Sequence, residues 1–220
     1  MLKKNTTIFI LAATVLMTGC AHTRSEVKLG SPETINTSYP ITKSTTILIG
    51  SVTDERVFEE TPSDPSIPSL GHEGSASASA DVKARAFARK RNGFGRALGE
   101  VLLKDGQTVS SVVRDNLVTA FRQAGYRTTT NRAEAGTSPM VIEVHVKRFW
   151  VWTDISFGAF NHKANIETRL DTSKAPSPIT VSAQSEYSVM TGGDSYRVDT
   201  IEKALKEYRS QINEKFAKLP

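Results

Sequence analysis

One thiol, one cluster of cations and one run of aromatic rings are the residues of this chain whose types and spacing could do chemistry. Cys20 is the only cysteine in 220 residues, so its chemistry is modification of a single thiol rather than pairing into a disulfide. Lys83, Arg85, Arg89, Lys90, Arg91 and Arg96 place six cations within fourteen residues. Phosphate-rich lipid headgroups, anionic glycans and acidic protein faces are the partners such a cluster fits. A solvated edge hairpin, blunted by its charges, is the plainer reading. Phe149, Trp150 and Trp152, followed by Phe157 and Phe160, form an aromatic stretch. From Phe149 onward both parities of the strand are apolar. This end is therefore covered on both sides, either by the chain's own 53–81 loop or by a partner docked on an exposed anchor.

Other chemistries find no support. His22, His72, His145 and His162 are never three to five residues apart and have no partner cysteine, so no metal site is expected. There is no G-x-S-x-G elbow. Glu59 and Glu60 lie in an irregular stretch and read as solvated. Gly93-Phe-Gly95-Arg-Ala-Leu-Gly99 superficially fits a dinucleotide fingerprint, but it follows basic, alternating residues instead of a buried strand. No cofactor is expected, and the chain reads as a non-enzyme.

The surroundings of Cys20 are specific. Lys3-Lys4 precede an apolar run from Ile8 to Met17, and Thr18-Gly19 stand before the cysteine. A basic start, a short apolar core and small residues before a cut make residues 1–19 a secretory signal peptide. The run is too short to span a bilayer as an anchor. Met17-Thr18-Gly19-Cys20 resembles the bacterial lipobox, which implies a diacylglycerol on the Cys20 thiol and a further acyl chain on its new amine. The membrane is thus the first expected partner. Ala21, where an aspartate would favour inner-membrane retention, resembles an outer-membrane address facing the periplasm. The formal charge of +5 falls to about +3 without Lys3 and Lys4. That is too mild a basicity to argue for nucleic acid.

Elements to position these groups follow from periodicity. Residues 20–43 are polar and without period, an acylated cysteine and flexible tether. Residues 44–220 read as one domain. Thr45 to Val52 is a short buried strand. Residues 53–81, with three prolines and the run SASASA, are a long irregular loop. Small apolar residues alternate with Lys83, Arg85 and Arg89, and Asn92-Gly93 is a hairpin turn signal. A basic β-hairpin over 82–103 is therefore expected, with the return strand running from Phe94. Val109, Val112, Val113, Leu117, Val118 and Phe121 recur at helical spacing, with Thr108 or Ser110 as N-cap and Gly125 at the C-terminus. Three alternating segments begin near Met140, Ala164 and Ile179, an antiparallel meander. A second helix spans about Val198 to Leu219. The expected fold is α+β, a two-layer sandwich of a mainly antiparallel sheet with two helices on one face and the basic β-hairpin as an insertion.

Three motifs carry a resemblance. They are Asp54-Glu55-Arg56 after the first strand, Arg91-Asn-Gly-Phe-Gly95, and Asp105-Gly-Gln-Thr-Val109 at the helix start. Together with the meander and closing helix they resemble the small bacterial outer-membrane lipoproteins of the YajG type, over about residues 44–218. More remotely the layout is similar to auxiliary lipoproteins of lipid-trafficking ABC transporters. The resemblance implies an α+β fold and an envelope address, and no reaction. The expected role is a lipid-anchored periplasmic binding or scaffolding domain. A carrier or auxiliary subunit for lipid or glycan export is the alternative, and an enzyme with a scattered active site a third.

Overall fold

The computed structural model describes residues 24–32, 39–71, 74–156 and 158–217. The signal segment, Cys20, His22, His72 and Phe157 lie outside them. Three segments make the spine of the sheet: β6 (Met140–Ser156), β7 (Ala159–Thr172) and β8 (Ile179–Val189), antiparallel neighbours in sequence order. The alternating pattern dictates this meander, since each strand turns its apolar parity to one face.

The other edge of β6 is shared. Its first half pairs in parallel with β2 (Thr46–Asp54), which pairs in parallel with β5 (Arg127–Thr129). Its second half meets β3 (Ala86–Arg91), again in parallel, at Ala88 and Val151. β3 pairs antiparallel with β4 (Ala97–Leu103), and β4 in parallel with β1 (Ser25–Val27). The sheet of eight strands is therefore mixed, which corrects the mainly antiparallel expectation. The physical reason is β2: both its edges are filled by strands that run in its own direction.

Two long helices pack side by side on one face. α2 (Val109–Gln123) opens on Thr108, whose hydroxyl accepts from Ser111 N while the Ser111 side chain returns the bond. It ends before Gly125, at φ +84°. α3 (Asp194–Ala217) starts four residues earlier than its stripe predicted. Between helices and sheet the core is filled: Phe121, Phe149, Tyr208 and Ile212 are wholly buried, and Phe121 meets Phe216 edge to face at 4.8 Å.

Two segments differ from expectation. The start of the expected first hairpin strand is a helix, α1 (Ala80–Arg85), capped by Ser79 and closed by an Arg85–Asp81 ion pair, and only β3 remains as strand. Local capping here overrode an alternation that reads equally as strand. The hairpin is an integral part of the sheet and not an insertion, and its turn is longer than a two-residue type I′ turn. Asn92 Oδ1 accepts from Phe94 N and Arg96 N, and the strand resumes only at Ala97. The tether is also shorter than read. Ser25–Val27 form β1, Leu29 is wholly buried, and Gln107 clamps the Leu29 backbone through its side-chain oxygen (3.1 Å) and nitrogen (3.0 Å).

The irregular stretches 55–71 and 74–79 cover the sheet face opposite the long helices. Leu70, Val82, Ala86 and Leu102 form a second small core there, joined by Phe58. The Trp150 indole donates to Pro65 O at 3.1 Å and meets Phe58 edge to face. The chain's own loop thus covers the aromatic end at Trp150.

Candidate functional site

A cleft of about 550 Å³ opens at one end of the sheet, within the size range of small-molecule sites. Four separated segments build it: the loop at Ser63 and Pro65, the β3–β4 turn, the β6–β7 hairpin with Thr153, Asp154, Ile155 and Phe160, and the start of α3 at Gly192–Asp194. Strand direction explains the convergence. β3, β6 and β8 all run toward this end, so their following turns meet there, and α3 begins where β8 stops.

Arg89, Lys90, Arg91 and Arg197 line the cleft, with Asp154 and Asp194 as the acids. Lys90 pairs with Asp194 at 3.1 Å, and Arg197 with Asp194 at 3.0 Å. Burial opposes ionisation of Asp194, but side-chain hydrogen bonding from Ser25 and then Lys90, with the charges of Lys90 and Arg197, holds its carboxyl below the usual range. Asp154 is bound to Lys163 at 2.9 Å. Arg89 and Arg91 rest on neutral oxygens among the described residues. Arg89 donates to Ser69 Oγ and Gly71 O, and Arg91 to Gly95 O and Pro62 O. Burial lowers the pKa of both guanidinium groups, because their charge is incompletely solvated. The buried Nε atoms of Arg89 and Arg197 have no partner among the described residues. Four cations against two committed carboxylates leave an environment that an anion would stabilise. Pro65, Leu98, Ile155 and Phe160 supply an apolar wall beside them.

His162 lies behind the cleft, wholly buried, its Nδ1 2.8 Å from Thr153 Oγ1 and its ring stacked on Tyr196. Burial first, and the Arg197 charge second, push its pKa down to about 4. The unfolded chain protonates this ring near pH 6.5. Between those values the unfolded state binds more protons. Stability is therefore complete above about pH 6.5 and falls by about 3 kcal/mol as the pH drops toward 4. Urea midpoints across this range should show that slope, and His162→Gln should flatten it; equal slopes in both proteins would show that His162 does not titrate in this way.

The cationic residues read from sequence are divided by the fold. Arg89, Lys90 and Arg91 enter the cleft. Arg85 is tied to Asp81 and Glu26 on the β1 side, Lys83 is half-buried in α1, and Arg96 is exposed beside the cleft. Arg89 is buried, so an entirely solvated edge does not describe it. The aromatic residues are divided too. Phe149 belongs to the core and Trp150 lies under the loop, which removes both as an exposed partner anchor. Trp152, two residues along the same strand, is half-buried on the same outer face as Trp150, beside Lys163 and Glu186, and Phe160 lines the cleft. Arg197 escaped the sequence reading. Its signal was its position one helical turn before Ile201, a charge on the apolar stripe of α3.

A second charged cluster lies on the outer sheet face. His145 bridges Glu55 and Asp171, and Lys147 also holds Glu55. Hydrogen bonds from Lys147 and then His145 lower the Glu55 carboxyl to about 2. These groups share an open strand surface and satisfy one another. No group of side chains suited to a metal ion occurs among the described residues.

No protein-family model matches this chain, and no curated protein matches it. Solved structures give distant neighbours. One, described as an uncharacterized protein, aligns with a TM-score of 0.48 and 12% identity over 88% of this chain and 99% of its own. Another, described as "a putative lipoprotein from Caulobacter crescentus CB15", aligns with a TM-score of 0.30 and 15% identity over 49% of this chain and 80% of its own. At these similarities neither neighbour assigns a function. Among the described residues no helix is long and apolar enough to cross a membrane.

Proposed function

We propose that this is a lipid-anchored lipoprotein of the YajG type, held at the periplasmic face of the outer membrane through Cys20, and that it binds an anionic envelope component without transforming it. The observation that carries the binding role is the convergence of Arg89, Lys90, Arg91 and Arg197 on one cleft. The anchor rests on the segment that ends in Met17-Thr18-Gly19-Cys20.

Binding fits the site better than catalysis. A general acid or base works best with a pKa near the operating pH. Asp194 and Asp154 are each held as ion-paired carboxylates, and His162 is neutral and sealed from solvent. The carrier reading, an auxiliary subunit for lipid or glycan export, would favour a deep apolar cavity between helices and sheet. That space is filled by side chains such as Phe121, Phe149 and Tyr208. The open site lies instead at the sheet end, with a polar side and an apolar wall.

The test is thermal unfolding of the purified acylated protein in a neutral detergent, with dihexanoylphosphatidylglycerol added. A ligand at a hundred times its Kd stabilises the folded state by about 2.7 kcal/mol. The wild type should show a rise in Tm of that origin, and Arg91→Gln should lose most of it. No rise, or an equal rise in Arg91→Gln, would contradict the cleft as an anionic site.

A further inference from the structure

The route to the lipid anchor leaves the domain at the same end as the cleft. β1 runs parallel to β4, with Ser25 opposite Val101. At Ser25 the backbone therefore points back along β4 toward the 92–96 turn. Arg24 fixes this exit through its ion pair with Glu100 at 3.1 Å. Four residue steps separate Arg24 from Cys20, a reach of at most about 14 Å. The strand β7, at 14 residues, is about 45 Å long. So short a connection cannot carry the lipid to the far end of the sheet.

The surface of this end is independently unusual. Seven large hydrophobic side chains are exposed among the described residues, and four of them sit here. Phe94, 98% exposed, tips the β3–β4 turn; Ile155, 48% exposed, lies near the tip of the β6–β7 hairpin. Met190, 78% exposed, precedes α3, and Leu98 follows the turn. Lys90, Arg91 and Arg96 stand among them. Apolar tips with cations set behind them match a bilayer interface, where rings and aliphatic groups reach the acyl boundary and cations meet phosphates.

We propose that this end of the domain lies against the bilayer that holds Cys20, with Phe94, Ile155 and Met190 in the headgroup–acyl boundary and the phosphate of an anionic phospholipid in the cleft beside Lys90, Arg91 and Arg197. The arrangement rests on acylation of Cys20 and adds to it an orientation and a ligand class. The lipid anchor keeps the domain at the membrane; the cleft and the apolar tips fix which way it faces. The long sheet then stands away from the bilayer, with the 173–178 loop at its distal end.

Because Cys20 is the only cysteine, single cysteines introduced elsewhere can be labelled once it is acylated. The acylated protein carrying Phe94→Cys, Met190→Cys or Ser177→Cys, each labelled with an environment-sensitive nitrobenzoxadiazole dye, is placed in nanodiscs containing brominated lipid. Quenching at 94 and 190 should be several-fold greater than at 177. Adding phosphatidylglycerol to phosphatidylcholine discs should increase it, and Arg91→Gln with Arg96→Gln should reduce that preference by about five-fold per cation. Equal quenching at 94, 190 and 177 overturns the orientation. Quenching at 94 and 190 that ignores phosphatidylglycerol overturns the headgroup in the cleft. A protein that carries no acyl chain by mass would instead refute the anchor on which the arrangement rests.

Discussion

Arg56→Ala should destabilise the fold by about 3–5 kcal/mol, the loss typical of removing one partner from a buried charge pair. The Arg56 side chain is fully enclosed and grips Asp54 through two nitrogens, Nε at 2.8 Å and Nη2 at 2.7 Å. The same guanidinium donates to Lys83 O at the end of α1, to Ala86 O at the start of β3 and to Phe149 O in β6. It therefore joins β2, α1, β3 and β6 at the place where the β3 register shifts between Ala86 and Ala88. Truncation leaves three carbonyls short of a donor and Asp54 without its partner. Against a typical total stability of about 5–15 kcal/mol, this is a large fraction. Arg56→Lys should recover little, because a single ammonium cannot fork to a carboxylate and reach those carbonyls together. Denaturant unfolding measures both variants. A loss below about 1 kcal/mol, the level of an exposed ion pair, would contradict this role.

Phe121→Ala should cost about 3–5 kcal/mol, the range for deleting a buried aromatic ring. Phe121 lies at zero exposure between α2 and α3, edge to face with Phe216 at 4.8 Å and with Tyr126 at 6.0 Å. The cavity would open at the helix–helix contact and so loosen both helices on the sheet. Leu205→Ala, on the facing stripe of α3, should cost about 2–5 kcal/mol. The pair should be less than additive, since both changes open the same packed layer. Urea midpoints for the two single variants and the double variant decide it. Unchanged midpoints would mean that these helix faces do not form the core.

The two long helices and the meander were legible in the sequence because each carries its own period. Val109 to Phe121 repeats at three and four with Thr108 as its cap, and Met140 to Val146 alternates strictly. The first strand was legible as an apolar run, but its neighbours were not. An apolar run such as Ile47-Leu48-Ile49 carries no information on whether its partners run with it or against it. β1 was missed because three residues show no period, and it forms through pairing with β4. The covered aromatic end was legible at Phe149 and Trp150, where both parities turn apolar. The sequence left two covers open, the 53–81 loop and a partner; the contacts of Pro65 and Phe58, 85 and 92 residues upstream of Trp150, make it the loop there.

Half of the cleft could be read from the sequence and half could not. Arg89, Lys90 and Arg91 stood out as a cluster, and Phe160 as part of the aromatic stretch. Their meeting with Gly192, Asp194 and Arg197 depends on β3, β6 and β8 running the same way, a consequence of sheet topology that residue spacing does not encode. Asp54-Glu55-Arg56 shows the opposite case. The sequence marked it as a motif, and the fold gives it work in two directions: Arg56 inward to three carbonyls, Glu55 outward to His145 and Lys147.

The most direct test of the proposed anchor at Cys20 is the intact mass and membrane partition of wild type and Cys20→Ser expressed side by side. The thiol forms the thioether that a hydroxyl cannot replace, and several acyl chains hold far more firmly than one. Wild type should lose residues 1–19, gain the mass of its acyl chains and remain with the membrane fraction after a high-salt wash. Cys20→Ser should carry no acyl mass and should either keep its signal segment or leave the membrane. Identical masses and identical partition of the two proteins would contradict the account.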